Sequence, residues 1–281
     1  MAGLCARALE AGIEPDYVRG LVQQRRLVPE SPPVEVEAWP WPIKILTLGR
    51  FEVLLDGEPV RFARKVQRKP LALLKALIAF GGRGVREEFV MDALWPEAEG
   101  DAARVALASA LHRLRGLLGR DQAILRQEGR LSLDSRLCWV DVWAVDRLLG
   151  RAESAAGHPQ LIRRAADLYR GAFLDAGEAE LPRATAMVES LRRRLLRHLV
   201  RAGRQCEEAN PQEAVDWYEE ALRVDPCAED ACRSLMTVYH RLDRSTDVTV
   251  TYQRCRAALD TGRGLTPSAA TQRLLQTLSA R

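Results

Sequence analysis

What the chain lacks narrows it first. No apolar run approaches the roughly 18–20 residues that span a membrane. The N-terminus has no charged region followed by an apolar stretch, so no signal peptide is expected. The six cysteines, Cys5, Cys138, Cys206, Cys227, Cys232 and Cys255, contain no C-x-x-C pair. Cys227 and Cys232 stand five apart, and no His or further Cys completes a metal site at ligand spacing. Thiols scattered in this way read as reduced and packed, and the expected compartment is cytoplasmic. The signatures G-x-x-x-x-G-K-[ST] and H-E-x-x-H are missing, and the four histidines, His112, His158, His198 and His240, are dispersed. Acidic pairs such as Glu97 with Glu99, or Glu87 with Glu88, lack a partner base. Gly81-Gly82-Arg83-Gly84 links two helical patterns with no strand before it, so it reads as a turn rather than a phosphate cradle. No enzyme activity, cofactor or metal is expected.

One further absence is local. From Ala102 to Arg120 there is no acidic side chain. The stretch DAARVALASALHRLRGLLGR, residues 101–120, reads as one helix. Leu107, Leu111, Leu114 and Leu118 form one stripe. The opposite face carries Val105, Ser109, His112, Arg113, Gly116 and Arg120, and Arg104 and Arg115 flank the apolar stripe. A helix with unopposed arginines suits a major groove, which admits a helix and offers base-edge acceptors. A surface helix with a solvated basic face is the plainer alternative.

The rest of the chain gives this helix a context. Its 281 residues allow two ordinary domains, and 47% apolar with 28% charged residues is the composition of a globular protein. Net charge is only +4, so a nucleic-acid role must come from local patches. Residues 1–42 hold two short helical patterns, broken at Gly12 and Pro15. A proline-rich linker, Pro29-Glu30-Ser31-Pro32-Pro33, then runs to Trp39-Pro40-Trp41-Pro42. This piece is the tail of something longer upstream or a brace on the next domain.

Residues 43–140 alternate in a specific order. Period-2 strands at 43–48 and 51–55 are joined by a turn at Gly49-Arg50 and closed by one at Asp56-Gly57. A short strand at 59–62 precedes a helix opened by Pro70. A second helix spans about 86–95 and stops at Pro96, and the loop PEAEGD leads to the helix 101–120. Next comes a hairpin of 123–126 and 130–133, around Gln127-Glu128-Gly129. This is a helix-turn-helix with a β wing behind it and a small sheet in front. Residues 141–281 are helical, with helices expected near 142–154, 159–171, 183–205, 212–223, 228–241, 247–260 and 268–279. Tyr218 and Tyr252 are 34 residues apart, the tetratricopeptide period. The second copy is degraded to Val248, Tyr252, Cys255 and Arg256. The expected fold is mainly α with a small β component: a winged helix-turn-helix followed by an α-helical, tetratricopeptide-like repeat domain.

This layout marks candidate contacts. Arg61, Arg64, Lys65, Arg68, Lys69 and Lys75 crowd fifteen residues without an acidic one. Cations at a helix N-terminus oppose the macrodipole, and phosphates would explain their presence. His112 and Arg113 are the expected base readers, with Ser109 one turn earlier. Arg104 and Arg115 would hold phosphates at the groove edges, Arg115 having a structural salt bridge as its alternative. Arg126 and Arg130 flank the hairpin tip, where a wing meets a minor groove. A second basic run, Arg192, Arg193, Arg194, Arg197, Arg201 and Arg204, reads as the solvated face of a long helix.

Several of these motifs together resemble a known family. ILTLGRFEVLLDGEPV, RKPLALLKALIAFGGRGV, LWPEAEGDAA and LHRLRGLLG are similar to the OmpR/PhoB-type winged helix, in the form found in Streptomyces antibiotic regulatory proteins. LYRGAFLDAG, AVDWYEEALRVDPCAEDACRSLM and TYQRCRAALDTGRGLTPSAATQRLL resemble the bacterial transcriptional activator domain that accompanies it. Residues 1–42 resemble the junction in large MalT-like regulators, where a nucleotide-binding sensor region lies upstream. The resemblance implies three parts: 1–42 as helical segment and linker, 43–140 as DNA-binding domain, 141–281 as activator domain. It implies a DNA-binding transcriptional activator whose partners are double-stranded DNA and RNA polymerase. It also implies a homodimer or tandem pair on direct repeats, and no membrane. Polymerase would meet the loop 95–101, through Trp95, Glu97 and Glu99. Against the family pattern, this chain has Leu181-Pro182-Arg183 in place of a tryptophan and β-branched residues over 245–251. A scaffold whose helical repeats carry the function is the alternative.

Overall fold

The computed structural model describes residues 1–27, 32–61, 68–154, 159–171 and 182–279, with residues 182–185 described by backbone alone. The chain forms two compact units. One comprises Met1–Arg147 with Arg170–Glu189, the other Leu148–Tyr169 with Ser190–Arg281. The protein is mainly α with a small β component.

In the first unit, helices α1 (Ala2–Glu10) and α2 (Pro15–Gln24) pack on each other through Cys5, Leu9, Val18 and Val22. In the stretch after them, residues 32–42 do not trail into solvent. Val36, Trp39 and Trp41 are buried, and Trp41 Nε1 donates to Val36 O at 3.0 Å. Two strands come next: β1 (Ile43–Leu46) and β2 (Glu52–Leu55), antiparallel, with Ile45 opposite Val53. The third strand, β3, occupies Glu58–Pro59, one residue earlier than the expected start at 59, and Phe62 at the expected end lies outside the described residues. The turn at Asp56-Gly57 brings pairing back at once, and just past the strand Val60 N still donates to Val53 O at 2.8 Å.

Helix α3 (Arg68–Ala79) begins two residues before Pro70, which still stands in the first turn where no intrahelical partner is needed. Its Leu73, Leu74, Leu77 and Ile78 are fully buried. After it come β4 (Val85–Arg86), α4 (Glu87–Leu94) and α5 (Gly100–Leu118). The wing is β5 (Ile124–Gln127) with β6 (Arg130–Leu133). Glu128 and Gly129, both with positive φ (48° and 68°), turn it, a geometry glycine adopts freely.

Two short strands escape the sequence pattern. β4 pairs with β6, making a three-stranded sheet in the order β4-β6-β5. β7 (Cys138–Val140) pairs parallel to β1 and completes the sheet β3-β2-β1-β7. Each has two or three residues, too few to show a period, and their pairing partners lie far off in sequence. The sheet is tied to the next helix, α6 (Asp141–Ser154), by one buried carboxylate. Asp141 accepts from Thr47 N at 2.7 Å, Leu48 N at 2.8 Å, Thr47 Oγ1 at 2.5 Å and Val142 N at 2.8 Å. Burial pushes its pKa up, against those four hydrogen bonds.

The second unit is helical: the end of α6, α7 (Pro159–Leu168), most of α8 (Pro182–Cys206), α9 (Pro211–Val224), α10 (Glu229–Arg241), α11 (Ser245–Arg263) and α12 (Ala269–Ser279). Asn210 caps α9, accepting from Glu213 N at 3.2 Å, and Pro211 opens it. Tyr218 is fully buried against Gly203, where a Cβ would stand 2.6 Å from the ring. The second repeat differs from the expected pattern. Its core stripe is Val248, Thr251, Cys255 and Leu259, with Tyr252 half-buried and Arg256 exposed. A four-residue step from Val248 to Tyr252 gives way to a three-residue step to Thr251, so the 34-residue tyrosine period is not a packing period. Despite the β-branched residues over 245–251, α11 is continuous and packs along α10. Tertiary burial outweighs their modest helix propensity. The basic run on α8 is also not simply solvated. Arg192 pairs with Asp225 at 3.0 Å and Arg194 with Glu153 at 3.2 Å, and both are half-buried. Leu181 lies outside the described residues, and the Pro182-Arg183 side chains are likewise not described.

Candidate nucleic-acid interface

The site is built on α5. Leu107, Leu111, Leu114 and Leu118 are buried, as are Ala103 and Ala110, and α5 packs along α3. Burying one stripe fixes what the other presents. At about 100° per residue, Val105, Ser109, His112 and Gly116 share one line, with Ala102, Ala108 and Arg113 beside it, and all seven are exposed. Among the described residues the side chains of Ser109, His112 and Arg113 have no protein partner. They are donors and acceptors held on a rigid helix with nothing in the protein to satisfy them. The sequence places Val105 and Gly116 on this face without assigning either a role. Val105 is 70% exposed. Small residues at 102, 108, 109 and 116 keep the backbone low, so a large convex ligand could approach closely.

The expected phosphate cations divide by how far the fold already uses them. Arg64 and Lys65 lie outside the described residues. Arg68 is exposed, with no partner among the described residues. Arg104 is exposed and pairs loosely with Asp101 at 3.3 Å. Lys69 donates from Nζ to Leu94 O at 2.8 Å and stands 5.3 Å from the Trp95 ring centre, bracing the C-terminus of α4. Arg115 donates from Nη2 to Ile124 O at 2.6 Å, tying α5 to the wing, and its Nε is buried. Its alternative, a structural role, is therefore the better account, through a carbonyl rather than a salt bridge. Arg126 grips Glu87 with two hydrogen bonds, Nε to Oε1 at 2.6 Å and Nη2 to Oε2 at 2.8 Å. That carboxylate is 7% exposed and holds the Arg126 pKa above its usual value. The pair clamps wing to α4, so much of Arg126's charge is compensated. Arg130 is exposed and donates from Nη1 to Gly84 O at 2.9 Å. Motif and charge in sequence find cations; they do not show which ones the fold has already engaged.

In the loop between α4 and α5, Trp95 is half-buried at the C-terminus of α4, while Glu97 and Glu99 are exposed. Neither carboxylate has an ion pair among the described residues. The Gly81–Gly84 stretch is a turn. Gly82 has φ +70°, and a Cβ on it would stand 2.0 Å from Cζ2 of Trp143, so the indole needs a glycine beneath it. Among the described residues no group of His, Cys, Asp and Glu could hold a metal ion, and no helix is long and apolar enough to cross a membrane.

The two architectures are thus a winged helix-turn-helix in the first unit and a run of tetratricopeptide-like helices in the second. Comparison with known proteins agrees. Residues 140–279 match the family model described as the bacterial transcriptional activator domain. The chain therefore carries this domain over residues 140–279, about half of its length. Among solved structures it is similar to Mycobacterium tuberculosis EmbR in complex with a low affinity phosphopeptide, with a TM-score of 0.57 and 24% identity. That match covers 86% of this chain and 65% of the EmbR chain, so this chain spans about two thirds of that length and shares its fold. No curated protein matches it in sequence.

Proposed function

We propose that this chain is a sequence-specific, double-stranded-DNA-binding transcriptional activator, or the effector half of one, and that it has no enzymatic activity. The observation that carries the reading is the exposed line of α5, free of acidic side chains after Asp101, with Ser109, His112 and Arg113 unpartnered on a helix locked by its leucine stripe. Arg113 would read guanine O6 and N7, and His112 and Ser109 neighbouring base edges. Arg64, Lys65, Arg68 and Arg104 would hold phosphates, with Arg130 at the wing. Residues 43–140 would be the DNA reader, 141–281 the activator domain and 1–42 a brace on the reader. Trp95, Glu97 and Glu99 would face RNA polymerase. Two copies would sit on direct repeats, as a homodimer or in tandem, in the cytoplasm. An upstream sensor region would supply the signal.

Selection of genomic fragments by the purified chain, repeated at several salt concentrations, tests this. A motif with two spaced repeats supports it. Binding without a motif, with a steep salt slope, means the basic face is only electrostatic. A second reading, a protein-interaction scaffold, draws on one feature of the helical unit. A groove of about 830 Å³ between α9 and α11 is lined by Asp216, Glu219, Glu220, Arg223 and Arg254. Absence of any DNA binding favours that reading.

A further inference from the structure

Val105 has no structural reason to be where it is. It sits on a helix whose apolar side is already complete, and 70% of it faces solvent. Among the described residues the other large hydrophobics exposed beyond half their area are Met1, Leu4, Ile13, Tyr17 and Leu265, none of them on α5. A β-branched residue also gains nothing for the helix, since Ala or Lys would hold it better. Val105 lies on the same line as Ser109 and His112, one and two turns earlier along the helix, between the exposed methyl groups of Ala102 and Ala108. Past Asp101 at the start of α5, the exposed line is therefore aliphatic at Ala102 and Val105 and becomes polar and cationic at Ser109, His112 and Arg113.

We infer that Val105 reads the 5-methyl group of thymine, so that the preferred site joins a thymine-bearing step to the base pair read by Arg113. This rests on the DNA-reading role of α5. The chemistry is specific. In the major groove the thymine methyl is the apolar feature that separates A·T from the other base pairs, and an aliphatic side chain recognises it by excluding water. An exposed isopropyl group facing a groove without a methyl stays solvated on one side and gains little. A basic protein surface is a poor alternative occupant of this line, because no acidic side chain accompanies it between residues 102 and 120. The polyanionic duplex, by contrast, matches the adjacent Arg113.

The test uses the whole chain. Fragment selection first yields the bound motif. Each thymine in that motif is then replaced by deoxyuridine, which removes one methyl and leaves base pairing intact. Wild-type protein should lose about fourfold in affinity at one or two such positions, the equivalent of about 0.8 kcal/mol for one buried methyl-sized group. Val105→Ala should bind thymine and uracil sites equally, at the level of wild type on uracil. Because the side chain is exposed and Ala is the better helix former, this variant should fold as wild type does, with thermal unfolding unchanged or slightly raised. Arg113→Ala should keep the thymine preference while losing discrimination elsewhere in the site. If every thymine can be replaced without loss, or Val105→Ala keeps the wild-type thymine preference, the inference is wrong while the DNA-reading role stands. If no motif is selected at all, the DNA-reading role fails and this inference fails with it.

Discussion

Single residues divide by whether the fold has already engaged them. Arg113 has no partner among the described residues, so its removal should leave stability untouched. On the proposed reading Arg113→Ala flattens the preference among DNA sequences by about 1–3 kcal/mol, measured as the ratio of affinities for the selected site and for a shuffled one. Equal loss on both sequences would remove its base-reading role. Arg115 should behave in the opposite way. It bridges α5 to Ile124 O, so Arg115→Ala should cost about 1–3 kcal/mol of stability by leaving a carbonyl unsatisfied, read from urea unfolding at constant m. A variant that folds as well as wild type but binds DNA weakly would return Arg115 to the phosphates. Lys65→Ala and Arg68→Ala should weaken binding evenly across sequences.

At the scale of elements, two carboxylates help to hold the wing, and the second makes a prediction. Glu87 and Arg126 join it to α4. Asp134, just after β6, joins its far end to the adjoining turn, accepting from Arg136 Nη2 at 2.7 Å and from Arg136 N at 2.9 Å. The Arg136 hydrogen bonds hold the Asp134 carboxyl below the usual carboxylate range. A depressed folded pKa means the ionised group stabilises the fold. That contribution is full above the ordinary carboxylate range and disappears as pH falls through the depressed value. Asp134→Asn should therefore be less stable than wild type near neutral pH, and the gap should close in acid. A gap that does not change with pH would assign Asp134 a neutral hydrogen-bonding role. The turn between α3 and β4 is held more tightly. Gly82→Ala should be far more destabilising than Gly81→Ala. Both have positive φ, but only at Gly82 would a Cβ collide with Trp143. Equal melting temperatures for the two variants would show that the indole has room to move.

For the whole molecule, net charge is only +4, so attraction to DNA must come from where the cations stand. On the proposed reading the logarithm of affinity falls linearly with that of salt, by about 0.9 for each phosphate neutralised. Arg68→Ala should reduce the slope by about that amount, whereas Arg115→Ala should leave it unchanged, because Arg115 is spent within the protein. Titrations at four or five salt concentrations separate the two. A slope insensitive to Arg68 would move the phosphate surface elsewhere.

Local periodicity was enough to set which segments are helices and which face of α5 is buried. Leucines spaced to one stripe force Ser109, His112 and Arg113 outward wherever the helix packs. The order of winged helix and helical repeats was legible as well, since Asp56-Gly57, Pro96 and Gln127-Glu128-Gly129 punctuate the chain locally. Tertiary structure decided what depends on distant partners. β7 exists because β1 offers an open edge, and no property of three residues announces that. Trp39 and Trp41 are buried although their prolines look like a linker's. Arg115, Arg126 and Lys69 look like free cations in sequence and are committed in the fold, because Ile124 O, Glu87 and Leu94 O come to them from other elements. A local pattern specifies a side chain's direction; only the packed chain specifies what it meets there.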